Sequence, residues 1–72
     1  MNFKELRRLQ KVKQKNISNE LNISFGCISQ YETGKRQPSI EQLPKLAEML
    51  GCSIEQVVMA LIETKNQAQT KY

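Results

Sequence analysis

The chain contains no histidine and no aspartate, and its two cysteines, Cys27 and Cys52, stand far apart from one another in sequence. A four-ligand zinc site therefore has too few partners, and a single disulfide is not expected. The seven acidic residues are all glutamates, spread along the chain, and no glycine-rich phosphate loop is present. These absences leave an enzyme without recognisable machinery, so neither catalysis, a metal nor a cofactor is expected. No apolar run approaches the roughly 20 residues that span a bilayer, so no membrane association is expected. The opening MNFKELRR lacks the apolar segment of a signal peptide, and the expected location is cytoplasmic.

What remains is a chain of 72 residues, room for one domain near the lower limit at which a core folds unaided, where dimerisation would help. A hydrophobic fraction of 39% with 25% charged residues is ordinary for a soluble globule, which argues against disorder. The net charge of +4 is unevenly placed. Residues 1–38 hold eight Lys and Arg against three Glu, a balance of +5, whereas residues 39–72 hold three Lys against four Glu, a balance of −1. Such a one-sided basic charge is either a solvated face or an electrostatic footprint for phosphate.

The stretch from Gln14 to Pro38, QKNISNELNISFGCISQYETGKRQP, organises the rest. Ile17 and Leu21, four apart, stack on one face of a short helix expected over Gln14 to Leu21. Asn22 breaks the pattern, Ile23 anchors the turn, and Ser24 suits the N-cap of a second helix from Phe25 to about Thr33. Gly34 offers that helix a left-handed stop. Ile28 and Tyr31 point inward, so Phe25, Gly26, Cys27, Ser29 and Gln30 lie largely on the other side. An outward face that is small, amide-bearing and uncharged, flanked by lysines and arginines, is an odd solvent face and a reasonable base-reading one. Glutamine can bond adenine twice in the major groove, serine can donate or accept, and an aromatic ring can touch a thymine methyl.

The order Arg7, Gln14, Leu21, Ile23, Ser24, Ile28, Ser29, Glu32, Gly34, Arg36, Pro38 resembles the helix-turn-helix domain of phage Cro and repressor proteins, the Xre type. The agreement runs in register from about Phe3 to Leu61. The resemblance implies an all-α, five-helix, lambda-repressor-like fold, with the helix-turn-helix formed by helices two and three. It implies double-stranded DNA as partner, with bases read by Phe25, Gly26, Ser29 and Gln30. Phosphates are expected at Lys13, Gln14, Lys15, Ser24, Cys27, Lys35 and Arg36, and Gln14 is implied to brace the reading helix as well. It also implies an ion pair between Arg7 and Glu32. Departures are visible: Lys11 replaces a customary glycine, Lys13 a customary hydroxyl cap, Ser18 an alanine and Asn22 a glycine. Gly26 stands where relatives often carry a base-contacting side chain. Cys27 reads either as an inert contact residue or as an exposed thiol open to oxidation.

Around this stretch, helix one is expected over Asn2 to Lys11, with Asn2 as N-cap and Phe3, Leu6 and Leu9 inward. The hydroxyl of Ser18, inside helix two, needs a partner such as the carbonyl four residues earlier. Ser39-Ile40-Glu41-Gln42 has the capping-box pattern for helix four, with Pro44 in its early turns and Leu43, Leu46, Ala47 and Leu50 inward up to Gly51. Ser53-Ile54-Glu55-Gln56 repeats the cap, and Ile54, Val57, Val58, Leu61 and Ile62 form a broad apolar stripe. Cys52 fills core space. Part of the stripe, Val57, Val58, Leu61 and Ile62, is expected at a two-fold dimer interface. The domain is expected over residues 1–63, with a polar tail over 64–72. The function expected is transcriptional regulation, as a repressor of a phage, mobile-element or similar operon. The competing reading is a protein-interaction or antitoxin-like module working through helix five, with a regulatory protein as partner.

Overall fold

A computed structural model describes residues 1–69, which form five α-helices: α1 Phe3–Leu9, α2 Gln14–Leu21, α3 Phe25–Thr33, α4 Leu43–Leu50 and α5 Ile54–Gln69. Among the described residues there are helices and no strand, in agreement with the all-α, five-helix fold that the resemblance implies. Each helix begins and ends for a local reason. Asn2 caps α1 through a reciprocal pair: its Oδ1 accepts from the Glu5 N–H at 2.8 Å and its own N–H donates to Glu5 Oε1 at 2.9 Å. The chain leaves α1 through Lys11, whose φ of 58° is left-handed. That conformation is the physical reason a glycine suits the position.

Lys13 starts α2 without a side-chain cap, as the missing hydroxyl foretells, and Asn22 ends it at φ 55°, ψ 48°. Ser18 does not bond back along its helix. Its hydroxyl donates forward to the Ile23 carbonyl at 2.5 Å while the Ile23 N–H returns to the Ser18 carbonyl at 3.1 Å, so the serine fastens the turn. Ser24 then caps α3 by accepting from the Cys27 N–H at 3.1 Å, and Gly34 closes it at φ 83°.

The single helix expected from Ser39 is divided. A 3₁₀ turn at Ile40–Gln42 precedes α4. Pro44, four residues after Ile40, has no N–H to give, so the Ile40 carbonyl accepts from Leu43 instead, the tighter 3₁₀ spacing. Ser53 and Gln56 make the expected cap of α5: the Gln56 N–H donates to Ser53 Oγ at 3.1 Å and the Ser53 N–H to Gln56 Oε1 at 2.9 Å.

All five helices contribute to one core: Phe3 and Leu6, Ile17, Ile28 and Tyr31, Leu46, Ala47 and Leu50, and Val57, Ala60 and Leu61. α5 lies against α1, α3 and α4 and so occupies the centre. Leu9 is not part of it, being 60% exposed. Two steps of three residues rotate it by about 120° from Phe3, beyond Leu6 at the edge of the buried face, and Val12 beyond the left-handed turn packs on the core in its place. Cys52 packs against the core as expected, and burial pushes its thiol up. The polar tail expected from residue 64 meets a helix that continues to Gln69. Thr64 is buried, its Oγ1 accepting from the Phe3 N–H at 2.9 Å and donating to the Ala60 carbonyl at 2.9 Å. Residues 70–72 of that expected tail lie outside the described residues.

Candidate nucleic-acid interface

α3 is anchored by two side chains, Ile28 and Tyr31, both buried. The Tyr31 hydroxyl donates to Gln42 Oε1 at 2.9 Å, tying α3 to the 3₁₀ turn. Burial, reinforced by a hydrogen bond with Cys27, pushes the Tyr31 phenol up to about 12, so it remains a neutral donor at physiological pH. Gln42 carried no sequence signal for this role beyond its place in a cap.

Opposite the anchor, Phe25, Gly26, Ser29 and Gln30 are all exposed and fall within about 140° of the helix circumference. Phe25 is 54% exposed, unusual for an aromatic ring in so small a domain. A Cβ built on Gly26 would meet only Ser24 Oγ at 3.7 Å, an ordinary contact, and the backbone there is plain helix. The fold therefore does not require glycine at this place.

The tilt of this face is set by a partly buried polar network. Arg7 Nε pairs with Glu32 Oε2, the two side chains 12% and 6% exposed. Arg7 Nη1 also donates to the Val12 carbonyl at 2.9 Å, and Gln14 Nε2 donates to Glu32 Oε1 at 3.0 Å. The Arg7–Glu32 pair thus joins α1 to α3, and Gln14 adds the first turn of α2. Both Glu32 oxygens are occupied, and the second amide hydrogen of Gln14 stays available. Charges this well enclosed are held by geometry as well as attraction, because either partner alone would be a costly buried ion.

The expected phosphate-seeking groups surround this frame. Lys13 and Lys15 are exposed around the start of α2, and Lys35 and Arg36 follow Gly34, also exposed. The N–H groups of both Lys35 and Arg36 bond to the Gln30 carbonyl, at 3.0 and 3.2 Å, so the basic loop is pinned to the C-terminal part of α3. Cys27 is half-buried, packs on the core and lies with its Sγ 4.0 Å from Arg36 Nη1. Its backbone N–H is taken by Ser24, which leaves the Ser24 hydroxyl hydrogen free to donate.

Sequence reasoning left Lys4 without a role and gave Arg8 only a place on the polar side and last turn of helix one, where a cation suits the helix dipole. With Arg7, Gln14, Ser29, Glu32 and Thr33 they line a crevice of about 350 Å³ between α1 and α3. Their four-residue spacing was the available signal. No group of three or more Cys, Asp, Glu or His among the described residues is placed to hold a metal ion. No helix of the described residues is long and apolar enough to cross a membrane.

Two short helices joined by a left-handed turn, the second presenting an uncharged polar face, are the geometry of a helix-turn-helix. A family model described as Helix-turn-helix matches residues 3–57. The chain belongs to that family. It is an Xre-type helix-turn-helix protein, hence a DNA-binding transcription regulator. No curated protein and no solved structure matches it. In this helix-turn-helix protein α2 and α3 carry the motif, while α1, α4 and α5 hold it.

Of the residues expected at a dimer interface, Val57 and Leu61 are 0% and 7% exposed and belong to the protomer's own core. Apolar periodicity cannot distinguish a stripe that packs at home from one that packs on a partner. Val58 is half-buried and Ile62 is 48% exposed, and together with Pro38 and Leu43 they border a groove of about 250 Å³.

Proposed function

We propose that the protein is a sequence-specific repressor that binds a roughly palindromic double-stranded operator as a homodimer. The observation that supports this most is the uncharged face of α3, held at a fixed tilt by the Arg7–Glu32–Gln14 network and flanked by free cations. A solvated helix face needs no such bracing. Within that face Gln30 reads adenine through two hydrogen bonds, Ser29 donates or accepts beside it, and Phe25 touches a thymine methyl. Gly26 lets the helix backbone approach a base edge, since nothing inside the fold asks for the missing side chain. Lys13, Gln14, Lys15, Ser24, Lys35 and Arg36 hold phosphates and set register, and Cys27 sits among them as a contact residue.

In the dimer, Val58 and Ile62 meet their two-fold copies, with Val57 and Leu61 supporting them from the core beneath. Two reading helices about 34 Å apart then enter successive major grooves and obstruct polymerase by occupancy. A phage, mobile-element or similar operon fits a regulator of this kind, acting in the cytoplasm.

The test is a fluorescence-anisotropy titration near physiological salt, with DNA from upstream of the protein's own gene against a scrambled duplex of equal length. A preference of about 1,000-fold or more is the expected result for a specific, self-regulating repressor. Equal, weak and salt-sensitive binding to these two, and to duplexes selected from a random pool, would sink the proposal. It would favour the other use of the scaffold, a protein-interaction module working through the groove beside Val58 and Ile62.

A further inference from the structure

Lys4 and Arg8 stand four residues apart on α1, on one face, and both are exposed. Neither has an ion-pair partner among the described residues. Like charges at this spacing repel along a helix, so the pair is mildly unfavourable for the free protein. An anion seated between them would reverse the sign of that interaction.

The crevice they line is shaped and charged for one. Its walls carry three cations, Lys4, Arg7 and Arg8, against the single carboxylate of Glu32, so 3 − 1 leaves +2. Arg7 and Glu32 neutralise each other, and both Glu32 oxygens are already bonded, one to Arg7 and one to Gln14. No free carboxylate therefore faces an incoming anion from the crevice walls. The floor offers the second Gln14 amide hydrogen and the Ser29 hydroxyl. Ser29 belongs to the reading face itself, so the crevice opens directly beside α3. A DNA backbone strand passing the reading helix on the α1 side would run into it.

We infer that Lys4 and Arg8 form an additional phosphate grip, separate from the Lys35–Arg36 loop, which seats the backbone flanking the half-site and lengthens the footprint beyond the bases α3 reads. The inference rests on the proposal that α3 enters the major groove. The role it gives α1 is affinity without sequence choice, because a phosphate contact is the same at every base pair.

The experiment uses duplexes selected from a random pool by the wild-type protein, prepared in two lengths, one ending at the half-sites and one extended by a few base pairs on each side. Binding is followed by anisotropy across a salt series for the wild type, for a double variant Lys4→Gln, Arg8→Gln, and for a control Lys45→Glu with the same loss of net charge. Circular dichroism confirms that all three are folded, as exposed sites allow. The wild type is expected to bind the longer duplex more tightly. The Lys4, Arg8 variant should lose that length dependence, and its log–log salt slope should fall by about 1.8 per protomer, with its preference over a scrambled duplex unchanged. The control should keep both. A Lys4, Arg8 variant with wild-type slope and length dependence overturns the grip while leaving base reading by α3 intact, as does a control that falls equally. Selection that enriches no sequence overturns instead the reading on which the grip rests.

Discussion

α3 and α5 lean on the same core, yet they are held there by different chemistry. α5 sits at the centre, buries Val57, Ala60 and Leu61, and turns a mixed outward face with Glu55, Met59 and Ile62. α3 buries only Ile28 and Tyr31 and turns out Phe25, Gly26, Ser29 and Gln30 without a single charge. A helix with so small an apolar anchor would be free to roll on the core. Arg7, Gln14 and Gln42 supply the missing directional contacts, through Glu32 on one side and the Tyr31 hydroxyl on the other. The contrast teaches that hydrophobic burial places a helix, while hydrogen bonds and ion pairs fix its rotation. Rotation is what a base-reading face cannot leave loose.

The largest effect that can break this comparison is Glu32→Ala. It leaves the Arg7 guanidinium enclosed without its carboxylate, a change that costs on the order of 3 to 5 kcal/mol. Urea denaturation measures it. Leu50→Ala in α4, at a fully buried site, is expected to cost about 2 to 5 kcal/mol through lost packing and a cavity. Stability alone will not separate the two. At a temperature where both remain folded, Leu50→Ala should keep the preference for a selected duplex over a scrambled one, and Glu32→Ala should lose it. Equal losses of preference would show that the network merely stabilises.

A smaller effect tests the other side. Thr64 is the one polar residue found buried among the described residues, and it ties the far part of α5 to the first turn of α1. Thr64→Val keeps the shape but leaves the Phe3 N–H unbonded, at a cost of about 1 to 3 kcal/mol. Thermal melts should record the loss with DNA preference unchanged. Smallest is Gly26→Ala, which has room for its methyl and should raise stability by up to about 1 kcal/mol while weakening binding to the selected duplex. A variant that gains stability and loses no affinity would show that the helix backbone does not approach the bases at Gly26.

The ends of α2 and α3 were legible because their signals are local: Ser24 as a hydroxyl cap, Asn22 and Gly34 as left-handed stops. The divided start of α4 follows from Pro44 but needs the carbonyl of Ile40 to be traced to its donor, a step that a capping pattern alone conceals. Leu9 was misplaced because a three-residue repeat drifts around a short helix, and nothing local reveals where Val12 will land after a left-handed Lys11. The Arg7–Glu32 pair joins residues 25 apart in sequence and was readable only through resemblance to a family. The bracing by Gln14 was implied by the same resemblance and appears as its bond to Glu32, whereas the forward bond of Ser18 and the crevice at Lys4 and Arg8 depend on how α1, α2 and α3 are packed. Val57 and Leu61 show the same limit in the core, where home packing and partner packing share one periodicity.

The central claim is a division of labour between reading and gripping residues around α3. It is tested most directly by measuring Gln30→Ala and Lys35→Ala side by side, each against the selected duplex and a set of single-base variants of it, over a salt series. Gln30→Ala should cost on the order of 1 to 3 kcal/mol on the selected duplex, blur preference at one base pair and keep the wild-type salt slope. Lys35→Ala should weaken every duplex about equally and lower the slope by about one. Two variants that lose affinity alike, with the same change in slope and no loss of preference at any position, would contradict the account.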